Sequence, residues 1–176
     1  MKILEFPQLR QTYSYDCGAN AVQSVLAYYG HDIRADKIMK LAGTTKKIGT
    51  LIEGIKNVLR KYDLNFRAGR MSISKIKKSI EKGLPVILAL QAWSKNKRTN
   101  YKKDWANGHY VVAIGYDNEK IYFEDPSTIP RTYLENNELK KRWHDVDIKG
   151  KKYRHFGIIV YGEKKYKKTE DIVHMD

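Results

Sequence analysis

The chain has a single cysteine, and its neighbours suit it to chemistry as well as to packing. Cys17 closes the string Gln11-Thr12-Tyr13-Ser14-Tyr15-Asp16-Cys17 and is followed by Gly18. Behind it, Ala21, Val22, Val25, Leu26 and Tyr29 recur at helical spacing up to Gly30, a residue suited to stop a helix. Cys17 is therefore expected at a helix N-terminus, with Asp16 as the candidate N-cap. A thiol is a poor nucleophile while protonated, and positive potential favours the thiolate. The first turn of a helix supplies that potential through its unpaired N–H groups and its dipole. The Cys17 N–H is free there to face an oxyanion, and Gly18 leaves room for an approaching carbonyl. Gln11, six residues earlier, carries an amide that can act as a second oxyanion donor. Gln8 lies nearby at the wrong spacing. A lone cysteine is otherwise a small buried hydrophobe, so its partners decide between the two readings.

Two further segments supply them. Gly108-His109-Tyr110-Val111-Val112 opens an apolar strand, and Glu124-Asp125-Pro126 ends the next one. Taken singly, His109 reads equally well as a core histidine and Asp125 as a turn former. Strand geometry couples them. His109, Val111 and Ala113 share one face of the first strand, and Ile121, Phe123 and Asp125 share one face of the second. An odd number of residues in the hairpin loop makes the two faces coincide; an even number separates them unless a bulge corrects the register. With the faces together, His109 is a base whose tautomer is fixed by a carboxylate, and Cys17 is the nucleophile it serves.

The elements that must hold these groups follow from periodicity. Helices are expected over Cys17 to Tyr29, Arg34 to Leu41, Thr50 to Lys61, and from Ser72 or Ser74 to Gly83. A short strand is expected at Leu64 to Arg67. The second half changes period: Pro85 to Leu90, Tyr110 to Tyr116, Lys120 to Asp125 and Phe156 to Tyr161 read as strands, with a short helix over Leu134 to Trp143. Asp117-Asn118-Glu119 reads as a hairpin turn. Mainly helices first and a mostly antiparallel sheet afterwards is the pattern of an α+β domain.

The 176 residues fit one domain, expected over 1–176, and 41% hydrophobic residues with 13 tyrosines exclude a disordered chain. No run reaches the roughly 18 apolar residues of a membrane span, and the N-terminus has no secretory signal, so a cytoplasmic location is expected. One cysteine excludes an intramolecular disulfide and a cysteine-rich metal site. The net charge of +14 suits a polyanion or a solubilised surface equally. No nucleic-acid motif accompanies it, so no specific nucleic-acid partner is expected.

The string Gln11–x5–Cys17-Gly18, then Gly108-His109-Tyr110-Val111-Val112, then Asp125-Pro126 resembles the bacteriocin-processing, double-glycine leader peptidases, a family of papain-like cysteine peptidases. Tyr28-Tyr29-Gly30, Ile48-Gly49-Thr50, Gly83-Leu84-Pro85-Val86-Ile87 and Trp143 extend the resemblance along most of the chain. It implies a papain-like fold with the cysteine helix packed on an antiparallel sheet. It also implies Cys17 as nucleophile, His109 as base, Asp125 as orienter and Gln11 as oxyanion-hole donor on a peptide substrate, with no cofactor. Known members are domains of peptide exporters that cut after Gly-Gly, whereas this chain shows neither a membrane region nor an ATP-binding motif. The segment Ser94 to Asn107, ahead of His109, is an insertion carrying Lys95, Lys97, Arg98, Lys102 and Lys103. It reads as an exposed basic loop or as a flap over the cleft, and the basic stretch Lys140 to Arg154 is open in the same way. Trp93, Trp105 and Tyr110 are candidate subsite residues. Other readings are amidase or transpeptidase chemistry on this scaffold, a non-catalytic peptide-binding relative, and a nucleic-acid-binding module.

Overall fold

The apolar spacing behind Cys17 becomes helix α1 (Cys17–Tyr28) in a computed structural model that describes residues 1–168 and residue 175. The rest of the domain expected over 1–176 lies outside the described residues. Three further helices match the expected segments to within two residues: α2 (Ala35–Ala42), α3 (Ile52–Lys61) and α4 (Ile73–Glu81). Ser72 starts α4, its hydroxyl accepting the Lys75 N–H at 3.2 Å. The alternation of apolar and charged residues buries one face of each, with Ile55, Val58 and Leu59 of α3 and Ile76 and Ile80 of α4 in the core.

In chain order the strands are β1 (Lys2–Ile3), β2 (Asn65–Arg70), β3 (Val86–Gln91), β4 (Gly108–Tyr116), β5 (Lys120–Glu124), β6 (Thr132–Glu135), β7 (His144–Val146), β8 (Lys152–Arg154) and β9 (Phe156–Tyr161). The main sheet runs β2-β9-β3-β4-β5-β6, with β1 added to the far end of β4 and every pair antiparallel. β3 is buried along its whole length and β4 nearly so, hence their continuous apolar runs. α1 lies against β4, so the N-terminus of a buried helix faces the strand that carries His109.

Two expectations need correction. The helix expected from Leu134 begins two residues later, as α5 (Asn136–Arg142), because Leu134 and Glu135 belong to β6 and pair with Ile121 and Lys120. Glu135 then opens the helix through a reciprocal capping box with Glu138. The stretch Lys140 to Arg154, read only as basic, contains the β7–β8 hairpin. Its turn is closed by Asp147, which accepts the Lys149 and Lys151 N–H groups at 2.9 Å, and by Gly150 at φ +77°.

The β4–β5 hairpin meets the condition that the sequence sets for the site. Tyr116 pairs with Ile121, leaving the four residues Asp117–Lys120 between them, an even number that would put His109 and Asp125 on opposite faces. A bulge between Ala113 and Gly115 adds Ile114 to β4, so that Ala113 pairs with Phe123 and Val112 with Glu124. Continued one step, that register sets Val111 opposite Asp125, and His109 shares their face.

Candidate active site

Cys17 is half-buried at the first position of α1. The structure corrects one detail of how it is held. Asp16 occupies the N-cap position but makes no cap bond; its carboxylate turns back to accept the Thr12 and Tyr13 N–H groups at 3.1 and 3.0 Å. It thereby fixes the loop joining Gln11 to Cys17. The helix donor is satisfied instead by Thr50, whose hydroxyl accepts the Ala19 N–H at 3.1 Å. Gly18 also serves packing, since a Cβ there would lie 2.7 Å from Thr50 Cβ and 2.9 Å from the Tyr110 ring. The Cys17 N–H has no hydrogen-bond acceptor among the described residues, as the sequence expects of an oxyanion donor.

His109 Nε2 lies 2.8 Å from Asp125 Oδ1, and both side chains are buried. The Cys17 thiol lies near enough to act on the imidazole's titration. Burial alone would push the His109 pKa down; the bond to Asp125 and the influence of the Cys17 thiol outweigh it and raise the pKa to about 9. Burial would raise the Asp125 carboxyl, yet His109, the Ser127 N–H and Trp93 together hold it below the usual carboxylate range. Trp93 was read only as a subsite candidate. Its indole N–H donates to Asp125 Oδ2 at 3.1 Å, with Thr132 Oγ1 at 3.3 Å from the same oxygen, while Ser127 N–H donates to Oδ1 at 2.9 Å. Trp93 reaches this position from a left-handed backbone, φ +57°.

Gln11 is tied to the same segment. Its N–H donates to Pro126 O at 3.0 Å, and its Oε1 accepts from Ser127 Oγ at 3.2 Å. Its Nε2 donates one proton to Tyr13 O at 2.7 Å, which leaves the second for another acceptor. The Gln8 amide goes to the Ile129 carbonyl, away from this set.

Beside Cys17 opens a cavity of about 250 Å³ whose wall includes Thr50, Trp105, Tyr110 and Asp145. Trp93 lies with Asp125 and Tyr133 along a separate depression of about 460 Å³. The insertion Ser94 to Asn107 is stitched at its base by Ala92 N–H to Asn107 O at 3.0 Å and Asn107 N–H to Gln91 Oε1 at 2.8 Å. Its basic residues are exposed and do not line the cavity, whereas Trp105 and Ala106 do. Trp105 packs on His144 with ring centres 4.4 Å apart, and Arg142 lies 3.8 Å over the Tyr101 ring, so the insertion is docked on α5 and the β7–β8 hairpin. Asp145 and Gln91 escaped the sequence reading. Alternating residues around Asp147 to Gly150 were the available signal for the hairpin that carries Asp145.

The family model for the peptidase C39 family matches residues 5–154. The chain belongs to the peptidase C39 family. A curated relative, the pediocin PA-1 transport/processing ATP-binding protein PedD of Pediococcus acidilactici, is 28% identical over 133 residues, which is 76% of this chain. The chain spans only 17% of that protein's length. Among solved structures, a double glycine motif protease from an AMS/PCAT transporter, in complex with its leader peptide, aligns at TM-score 0.66 and 20% identity, over 90% of this chain and 93% of that one. A C39-like peptidase from Bacillus anthracis aligns at TM-score 0.67 and 15% identity, over 94% and 100% of the two chains. The fold is that of the papain-like C39 peptidase domains. No helix among the described residues is long and apolar enough to cross a membrane.

Proposed function

We propose that this C39 member is a single-domain cysteine peptidase that hydrolyses a peptide bond with Cys17 as nucleophile, His109 as base, Asp125 as orienter and Gln11 as oxyanion donor. The observation that carries the proposal is the buried His109, held at 2.8 Å by Asp125, with the Cys17 thiol near enough to act on the imidazole's titration. His109 takes the thiol proton, or stands as an ion pair with the thiolate, and the sulfur attacks the carbonyl. The Cys17 N–H and the second Nε2 proton of Gln11 stabilise the tetrahedral oxyanion, about 3 kcal/mol per donor in a comparable hydrolase. His109 then protonates the leaving amine, and water releases the acyl group. By kinship with transporter peptidase domains the substrate is a leader peptide, delivered on the cytoplasmic side.

The test is cleavage of synthetic double-glycine leader peptides, with the products identified by mass spectrometry in water and with an added amine acceptor. Hydrolysis lost in Cys17→Ala, and slowed about 10²- to 10³-fold in Gln11→Ala, is the expected result. Transfer to the amine in place of hydrolysis would reassign the chain to transpeptidase chemistry. Turnover by Cys17→Ala would end the proposal.

A further inference from the structure

The Trp105 ring, part of the wall beside Cys17, packs on His144, and His144 lines a second cavity of about 280 Å³. Three elements meet around this hollow. The insertion supplies Lys102, the last turn of α5 supplies Lys140 and Lys141, and the end of β8 supplies Arg154, followed by His155. Buried Trp143 makes the apolar part of the wall. A basic last turn suits the dipole of α5, but that does not account for Lys102 and Arg154, which arrive from other elements.

No carboxylate stands in this wall among the described residues. The acids nearby in sequence are engaged elsewhere. Asp104 accepts the Ala106 N–H at 3.2 Å and Asn107 Nδ2 at 2.8 Å. Glu138 caps α5 and holds Arg142, and Asp145 accepts from Gln91 Nε2 at 3.2 Å and the Val146 N–H at 2.9 Å. Lys102, Lys140, Lys141 and Arg154 make no ion pair among the described residues, although Arg34, Lys56, Arg131 and Arg142 each find one. Four like charges converging on one hollow build a positive potential that a bound anion would relieve. Arg154 is also held in place, its guanidinium 5.0 Å over the Trp105 ring. The His144 Nε2–H donates to the Asp104 carbonyl at 2.6 Å, which leaves Nδ1 without a partner among the described residues.

Lysine ammonium groups and an arginine fork suit the many oxygens of phosphate. One phosphate group carries about −2, so two or more linked phosphates balance four cations. We propose that this hollow binds an oligophosphate, either free or as the tail of a nucleotide, which ties the insertion to α5 and β8 and so steadies Trp105 in the wall beside Cys17.

The test is the melting temperature of the whole chain in phosphate, pyrophosphate, triphosphate and adenosine triphosphate, each against sodium chloride of equal ionic strength. Above its Kd, triphosphate should raise the Tm by about 3 to 5 °C per tenfold in concentration, with pyrophosphate and phosphate weaker in that order. The rise should be lost in Lys140→Gln/Lys141→Gln and in Arg154→Gln. It should be kept in Lys37→Gln/Lys40→Gln, which removes the same charge from the exposed face of α2. Trypsin cleavage after Lys102 and Lys103 should slow about 10-fold in saturating triphosphate. A larger rise with adenosine triphosphate than with triphosphate assigns the phosphates to a nucleotide, and equal rises assign them to a free oligophosphate.

A rise matched by sodium chloride, or one that survives both substitutions in the hollow, would overturn the site. An equal rise with hexaglutamate would replace it by a surface for acidic peptides, and one with single-stranded DNA alone by a nucleic-acid surface. Unchanged cleavage in saturating triphosphate would overturn the tie to the insertion. None of these measurements needs turnover, so the site stands or falls apart from the peptidase reading.

Discussion

In the proposed mechanism Asp125 is the residue on which orientation depends, because its two oxygens answer to different partners. Oδ1 holds His109 and the Ser127 N–H; Oδ2 holds Trp93 and Thr132. In Asp125→Asn the fold should persist while kcat falls by about 10⁴, since an amide can present the wrong polarity to the imidazole. Steady-state kinetics beside a thermal melt checks this, and near-wild-type turnover would remove Asp125 from the mechanism. Trp93→Phe keeps the ring and loses the N–H, so kcat should drop about 10-fold with little change in KM, and the pH profile should shift as Asp125 loses a donor. Cys17, His109, Asp125 and Gln11 stand out in the sequence as candidates because their types and spacing state a chemical demand. Thr50 capping α1, Gln91 bracing Asp145 and the Trp93 bond to Asp125 were not, because each is a side chain meeting a partner from a distant element with no local pattern to mark it.

At the scale of elements, the alignment of His109 with Asp125 depends on one extra residue. Ile114 turns an even hairpin into a matched one; the three-residue turn read from the sequence needs no bulge, whereas the four-residue connection of the structure does. Helix placement depends on close approaches of the same kind. A Cβ on Gly54 would run into the carbonyl of Ala42, so α3 reaches the end of α2 only because position 54 has no side chain. Gly54→Ala should destabilise the protein by about 1–3 kcal/mol in urea titration, with the m-value unchanged. No loss would mean that the helices slide apart freely and that Thr50 is held by something else. The long helices and buried strands were readable from period and apolar runs. β6, β7 and β8 were missed, since strands of three or four half-exposed residues carry little periodicity and take their conformation from the strands beside them.

For the molecule as a whole, buried carboxyls set the pH dependence of stability. Burial raises Glu124 to about 7 despite Arg131 at 3.5 Å. A carboxyl whose folded pKa is raised binds more protons in the folded state than in the unfolded one, so stability falls as pH rises from about 4.5 through 7. Glu124→Gln should therefore be the more stable protein at pH 8, by up to about 3 kcal/mol, with the advantage vanishing at pH 4. Melting curves at the two pH values decide it, and an advantage at pH 4 alone would reverse the sign. The His109–Asp125 pair works within another window. Its contribution is retained above the depressed pKa of Asp125, is complete below the unfolded histidine value, and is lost as pH climbs through about 9.

The central claim is that Cys17 and His109 act as one unit, and the most direct measurement is the rate at which iodoacetamide alkylates Cys17 at pH 6 in the wild type and in His109→Ala. Fast modification of the wild type, slowed about 100-fold in the variant, is the expected result. Equal rates in the two proteins would contradict the claim, leaving Cys17 as a half-buried thiol beside a histidine that does nothing for it.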